Sequence, residues 1–439
     1  MLSLTVCLGF LSVVGAIPGA QFPHATPAPY YDARSNSGSH DKSWINYTAV
    51  PGFFLQDEAT TVPSTFDYTQ WNFGLLNRTY PTDSRVSKNA SQWERFEKYV
   101  TSLNKNAKKN VNYKVLFMGR HGEGWHNAAE TYYGTPACYY SEMDGNATVT
   151  WADAHLDPNG ITQAQKASNY WLSRIQLQNI PLPQSYYTSP LYRCLQTSNI
   201  TFSTLPLPKS RPFKPLVKEL LREGISGHTC DRRSNRTFIH ESFPSYKIEK
   251  GFAENDPFWK ALEGEVSIDQ DIRSKKVLDD VFGSDDHTWL SITSHSGEIA
   301  SILRGMSSLS LFLNFYLGLS GFRMGGISLD AFFDAEIVRW RRTQTSLVKN
   351  VQSNPACSLG VTLIHHFATF IPRYQTVLTP YHAVLHHQVF SLVTGSIIPV
   401  LVKAETISGS PTSTSSLPSS SQHGYLIRWK KKKTFEEKL

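Results

Sequence analysis

Apolar residues gather in short unbroken runs, separated by stretches where they recur every three or four positions. Tyr113-Lys114-Val115-Leu116-Phe117-Met118, ending at Gly119, is the clearest run. Such a run predicts a strand buried on both faces, as in a parallel sheet. Ser185 to Thr188, Trp289 to Thr293 and Ile397 to Val402 read as further strands. Ile161, Ala164, Trp171 and Ile175 keep helical spacing, and Thr162 with Gln165 forms a capping-box pattern. Other helices are expected near Gln92–Asn104, from about Leu191, and over Glu298–Arg304. Strands alternating with helices predict an α/β fold with a mainly parallel sheet.

The flanks follow other patterns. Leu2 to Ala16 is apolar, with small residues at Gly15, Ala16, Gly19 and Ala20. Residues 1–20 therefore read as a secretory signal peptide, although no Lys or Arg precedes the run. The alternative is a cytoplasmic chain with a buried N-terminal element. Six Asn-x-Ser/Thr sequons, at Asn46, Asn77, Asn89, Asn146, Asn199 and Asn235, give the secreted-glycoprotein reading modest support. Residues 21–108, rich in Pro and aromatics, read as an N-terminal extension packed on the catalytic domain. Ser408 to Ser421 is mostly Ser, Thr and Pro and cannot bury enough apolar area to order itself. Residues 406–439 are expected to form a Ser/Thr-rich and basic disordered tail.

Composition excludes several classes. Of 439 residues, 40 % are hydrophobic and 12 % aromatic, enough for a sizeable core. Five cysteines are too few for a disulfide-dense scaffold of this length. If Cys7 leaves with the signal, Cys138, Cys194, Cys230 and Cys357 could still pair. The net charge of +7 does not mark a nucleic-acid protein. It is accounted for by residues 305–390, with six basic against three acidic, and by 428–439, with six against two. A basic groove would need charge spread over the folded body. Leu309 to Phe322 is apolar, but fourteen residues are short for a membrane span.

Three segments share one arrangement: a predicted strand, polar or charged residues, then a helix. They are Arg120-His121-Gly122-Glu123-Gly124-Trp125-His126-Asn127, Ser189-Pro190-Leu191-Tyr192-Arg193-Cys194, and His295-Ser296-Gly297-Glu298. Ligands of open α/β sheets bind beyond the carboxyl ends of the strands, beside helix N-termini that favour anions. Arginine forks match phosphate oxygens, and a neutral imidazole is a competent nucleophile. The residues thus point to phosphoryl chemistry with no cofactor and no metal. His121 and His126 are five apart, a spacing that does not suit shared ligation on one helix face. His126 reads as pocket lining or structural.

These motifs, with Gln196-Thr197, Leu221-Arg222-Glu223 and Thr229-Cys230-Asp231-Arg232-Arg233, resemble the histidine phosphatase superfamily, and within it fungal phosphoglycerate mutase-like proteins. The resemblance covers roughly 45–304 and 384–405. It implies a three-layer α/β/α domain over 109–304 plus 384–405, acting on a small-molecule phosphomonoester. By it, His121 is the nucleophile that becomes phosphohistidine. Arg120, Arg193 and His295 hold the phosphate, and Asn127 adds a hydrogen bond. Glu223 protonates the leaving oxygen and then helps activate water. Arg232 and Arg233 are either substrate contacts or an exposed loop pair. The superfamily's other large branch carries Arg and Pro after Arg-His-Gly and has His-Asp at the second histidine. Glu123, Gly124 and Ser296 depart from that and disfavour phytase-like assignments. A phosphomutase using the same phosphohistidine, and a catalytically silent binding glycoprotein, are the alternatives.

Residues 305–383 interrupt this pattern, because Arg304 would join naturally to Val384. The segment holds His365, His366 and His382 and reads as an insertion. It also reads as translated intron. Gly305-Met306-Ser307 can be encoded with the splice donor GTATGT, Leu378-Thr379 with the branch sequence CTAAC, and Ala383-Val384 with an acceptor AG.

Overall fold

The computed structural model describes residues 43–408, except 59, 135–138, 262, 307–322, 325–326 and 329–389. Its spine is β2 (Val111–Arg120), in which Lys114 to Gly119 are all buried. Burial on both faces is why this run shows no polar alternation. On one side lie β6 (Trp289–Ser294), β3 (Ser185–Thr188), β4 (Leu216–Val217) and β5 (Lys247–Ile248), each parallel to its neighbour. On the other, β9 (Ile397–Ser408) runs antiparallel to β2, and β1 (Ser43–Ala49) antiparallel to β9. The sheet order is β1-β9-β2-β6-β3-β4-β5, mainly parallel as the pattern predicts.

Seven α-helices are described: α1 (Gln92–Asn106), α2 (Trp125–Tyr133), α3 (Pro158–Gln178), α4 (Tyr192–Phe202), α5 (Arg236–Ser242), α6 (Ser267–Ser284) and α7 (Ser296–Met306). Phe117 of β2 lies 5.8 Å from the Trp93 ring of α1 and 4.8 Å from the Trp171 ring of α3. α4 packs beside α3. Leu116 and Met118 alternate to the opposite face, where α6 and α7 pack. The result is the expected three-layer α/β fold. Burying each such side chain is worth about 1.5–3 kcal/mol, so the central strand is anchored from both faces.

Residues 43–106 are part of this domain rather than an extension on it. β1 closes one edge of the sheet, and Phe54, Phe73, Trp93 and Phe96 are fully buried in the core that holds β2 and β6. β1 gave no pattern because an edge strand is held through its backbone and buries only Tyr47. Likewise β9 continues past Val402 to Ser408, paired to β1, which moves the tail boundary. α3 starts earlier than its Thr162–Gln165 pattern suggests. Asp157 caps it by accepting the Gly160 N–H at 2.7 Å, and Ile161 is exposed. α7 extends to Met306, which is in the core. Between it and residue 390, only the short ladder of β7 (Arg323–Met324) and β8 (Ile327–Ser328) is described. The signal peptide, the rest of the insertion with its histidines and intron reading, and the tail after Ser408 lie outside the described residues.

The loop after β2 is fixed by backbone packed on backbone. A Cβ at Gly160 would collide with the Glu123 carbonyl, and one at Gly122 with the Gly160 carbonyl. The Glu123 carbonyl also accepts the Asp157 N–H at 3.0 Å. Gly160→Ala therefore forces the loop away from α3. Overpacking of this kind costs about 1–3 kcal/mol or more. Thermal unfolding should show a melting temperature lower by several degrees; an unchanged value would mean that the loop does not need this contact.

Candidate active site

β2 ends at Arg120, so the next residue, His121, stands at the carboxyl end of the central strand. Its N–H donates to the Ser294 carbonyl of β6 at 3.0 Å, and its carbonyl accepts the Gly395 N–H at 2.9 Å. The side chain is 2 % exposed. Nδ1 lies 2.7 Å from the Gly122 carbonyl. A carbonyl only accepts, so Nδ1 carries the proton and Nε2 keeps its lone pair. Burial above all, then the charges of Arg193 and Arg120, hold the imidazole's pKa well below 6.5. The ring is neutral and nucleophilic without help from a base.

Two more imidazoles sit against it. The His295 ring is 5.0 Å and the His126 ring 5.5 Å from that of His121. Both pKa values are depressed by burial first and by Arg193 next. His295 is wholly buried, with Nε2 2.9 Å from Ser189 Oγ and 3.3 Å from Cys194 Sγ. It packs against the His121 ring and is not among the residues that line the cavity. Cys194 and Cys230 are both free thiols, whereas Cys138 and Cys357 lie outside the described residues.

The cavity measures about 210 Å³, and Arg120, His121, His126, Asn127, Arg193 and Glu223 line its inner part. Arg120 donates Nη1 to the Leu392 carbonyl at 2.7 Å. Arg193, 1 % exposed, donates Nη1 to the Cys230 carbonyl at 2.6 Å and holds Nη2 3.5 Å from Asp231 Oδ1. Yet Arg120 Nε, Arg193 Nε and His126 Nδ1 are buried without a partner. Buried polar atoms are rarely left so, and two orphaned guanidinium donors facing one cavity call for an anion with several acceptor oxygens. Asn127 serves two ends. Its Oδ1 accepts the Gly124 N–H at 3.1 Å and so caps α2, which leaves its amide Nδ2 as the remaining polar group.

Glu223 faces the same cavity from a loop. Its carboxylate accepts the N–H of Gly224 at 3.0 Å and of Gly297 at 3.2 Å. Gly297 starts α7, and a Cβ there would strike this carboxylate, which explains the glycine after His295. Sequence reading missed Arg273, the residue that positions the loop. Its Nη1 binds the carbonyls of Leu220 and Arg222 at 2.8 and 2.9 Å, and its Nη2 that of Glu223 at 3.0 Å. Arg273 is itself held by Glu265 and Glu298 at 2.7 and 3.1 Å. It lies within a helical pattern like any surface arginine, so no local signal marks it.

The outer wall also went unassigned. It is formed by Glu130, Tyr140, Trp151, His228 and Asp231, with Cys230. Donor atoms of His228, Cys230 and Asp231 lie within 4.8 Å of one another and are the described residues that could hold a metal ion. Asp231 is already engaged by Arg193 and by Ser226 Oγ at 2.5 Å. Arg233 is not a substrate contact: it is buried, with Nε 2.8 Å from Glu219. Arg232 is partly exposed and paired with Asp144.

A neutral histidine at a strand end, beside the half-buried Arg120 and the buried Arg193 of α4, is an arrangement suited to phosphoryl transfer. A family model described as histidine phosphatase superfamily (branch 1) matches residues 140–319. The chain belongs to the histidine phosphatase superfamily. It is 51 % identical over 263 residues to "Probable phosphoglycerate mutase" of Arthroderma benhamiae, covering 59 % of this chain and 78 % of that one. It is 35 % identical to "Phosphomutase-like protein 3" of Candida albicans, over 58 % of this chain and 73 % of the other. It is 30 % identical to "Probable phosphoglycerate mutase PMU1" of Saccharomyces cerevisiae, over 45 % and 74 %.

Three neutral imidazoles in one place make stability depend on pH. In the unfolded chain each takes up a proton near its ordinary value of 6.5, whereas the folded-state values lie well below that. The unfolded state then binds more protons, so stability is full above 6.5 and is lost as pH falls toward the depressed values. The melting temperature should drop between about pH 7 and 5.5, and less steeply in a His126→Asn, His295→Asn double variant. A flat wild-type profile would mean that the rings are charged in the folded protein.

Proposed function

We propose that the protein hydrolyses phosphomonoesters through a phosphohistidine on Nε2 of His121. The observation that carries this is the orphaned Nε of both Arg120 and Arg193 beside a histidine whose Nδ1 is tied to the Gly122 carbonyl. In the first step the Nε2 lone pair attacks phosphorus as the ester P–O bond breaks. The leaving oxygen takes a proton from Glu223 in its acid form. In the second, Glu223 as carboxylate removes a proton from water, the water oxygen attacks phosphorus, and the P–N bond electrons return to Nε2. The two guanidiniums spread the charge of the phosphoryl oxygens in both transition states. His295, packed edge-on against the His121 ring, helps to keep the nucleophile in place. The names of the relatives favour a second reading, a phosphomutase, in which another alcohol rather than water receives the phosphoryl group. Product analysis with labelled water separates the two.

His121→Ala should abolish turnover while the fold persists. Rapid-quench labelling of the wild type should give an acid-labile, base-stable phosphoenzyme that the variant lacks. Substantial hydrolysis by the variant would remove His121 from the mechanism.

Glu223→Gln should lower kcat most for poor leaving groups. General acid catalysis is typically worth about 10²–10⁴-fold, and an aryl phosphate needs it least. Equal losses on alkyl and aryl phosphates would exclude Glu223 as the acid.

A further inference from the structure

The alcohol half of the substrate must meet the outer wall of the cavity, where Glu130, Tyr140, Trp151, His228 and Asp231 stand. Among the described residues, Arg120 and Arg193 are the only Lys or Arg side chains in the lining. Both lie at the nucleophile, and a phosphate dianion uses both. Nearby guanidiniums are committed elsewhere. Arg222 forks onto Asp256 through two bonds of 2.7 Å, and Arg233 binds Glu219 at 2.8 Å. Arg273 is paired with Glu265 and Glu298. Arg232 is turned onto Asp144 at 2.6 Å and lies 4.9 Å over the Trp259 ring.

Three carboxylates face the same space: Glu130, Glu223 and Asp231. Asp231 has Arg193 as partial counter-ion at 3.5 Å. A second anionic group on the substrate would meet Glu130, while Arg120, the lining cation whose charge reaches Glu130, is taken up by the phosphate. Hydroxyl groups would instead donate to those carboxylates. Tyr140 and Trp151 are 8 % and 5 % exposed, so they offer little ring face for stacking a flat or quaternary-ammonium group. We propose that the substrate is the phosphomonoester of an uncharged, hydroxyl-bearing alcohol, and that a carboxylate on that alcohol is selected against. This rests on the hydrolase reading and narrows it, and it separates the chain from the phosphoglycerate chemistry in its relatives' names.

Glycerol 3-phosphate and 3-phosphoglycerate form a matched pair, differing by a hydroxymethyl group in place of a carboxylate. With p-nitrophenyl phosphate as the control for hydrolysis itself, kcat/KM should favour glycerol 3-phosphate at least about tenfold, since like-charge juxtaposition is strongly disfavoured in such a site. Glu130→Lys, on the exposed side of α2, should shrink that ratio at least about threefold. Equal or better use of 3-phosphoglycerate, with p-nitrophenyl phosphate still hydrolysed, overturns the inference and leaves the hydrolase reading standing. If that use is lost in Arg232→Ala, Arg232 is the carboxylate clamp. Preference for phosphocholine over glycerol 3-phosphate overturns the inference too. No hydrolysis of any ester defeats the hydrolase reading and this inference with it.

Discussion

The site depends on keeping one imidazole uncharged beside two guanidiniums. Cations crowd His121, yet it must hold a free lone pair toward the phosphate. Burial supplies the first requirement, since a charged ring at 2 % exposure beside Arg120 and Arg193 is strongly disfavoured. The Gly122 carbonyl supplies the second by fixing the proton on Nδ1. Neither effect suffices alone. A buried ring with the other tautomer would present N–H to the phosphate, and an exposed ring would protonate near pH 6.5 and lose its nucleophilic electrons.

That arrangement places demands on the backbone around it. Gly122 must bring its own carbonyl back to the ring while lying against Gly160, so no Cβ can be accommodated at either position without displacing main chain. The Ser294 carbonyl and the Gly395 N–H fix His121 between β6 and the turn before β9. The last strand is thus tied to the nucleophile directly, although about a hundred residues of sequence separate it from the end of β6. On the facing side Arg273 gathers three carbonyls of the Leu220–Glu223 loop, which sets where the Glu223 carboxylate can reach. A buried cation that binds carbonyls as well as carboxylates acts as a hub: its removal would leave both Glu265 and Glu298 without their counter-ion.

The central strands and the chemistry-bearing residues were legible in the chain, for one physical reason. β2, β3 and β6 are largely buried, so apart from Lys114 no charged residue interrupts them before each reaches its polar motif. The motifs at those stops made Arg120, His121, Arg193 and His295 visible together. What depends on tertiary approach was not legible. β1 pairs through main chain and buries only Tyr47. Arg273 and Asp231 act through partners far away in sequence, and Ser189 touches His295 only after β3 and β6 pair. His295 shows the limit from the other side. The motif found it, but the contacts of its Nε2 with Ser189 and Cys194 follow from packing alone.

Charge accounting then links the inner site to its outer wall. Two guanidiniums next to three uncharged rings would leave the empty pocket strongly positive. Asp231 offsets Arg193 in part, and Glu223, placed by Gly297 and Arg273, adds a further carboxylate to the same wall. A phosphate dianion would bring acceptor oxygens to the orphaned Nε atoms and make the local charge negative. In the proposed mechanism the ring keeps its proton on Nδ1 as Nε2 bonds to phosphorus, so the phosphohistidine ring is cationic, and Glu223, having given its proton to the departing alcohol, stands as carboxylate where water is activated. The same two arginines can therefore serve both half-reactions of that mechanism, because they hold the phosphoryl oxygens while charge alternates on the His121 ring and on Glu223.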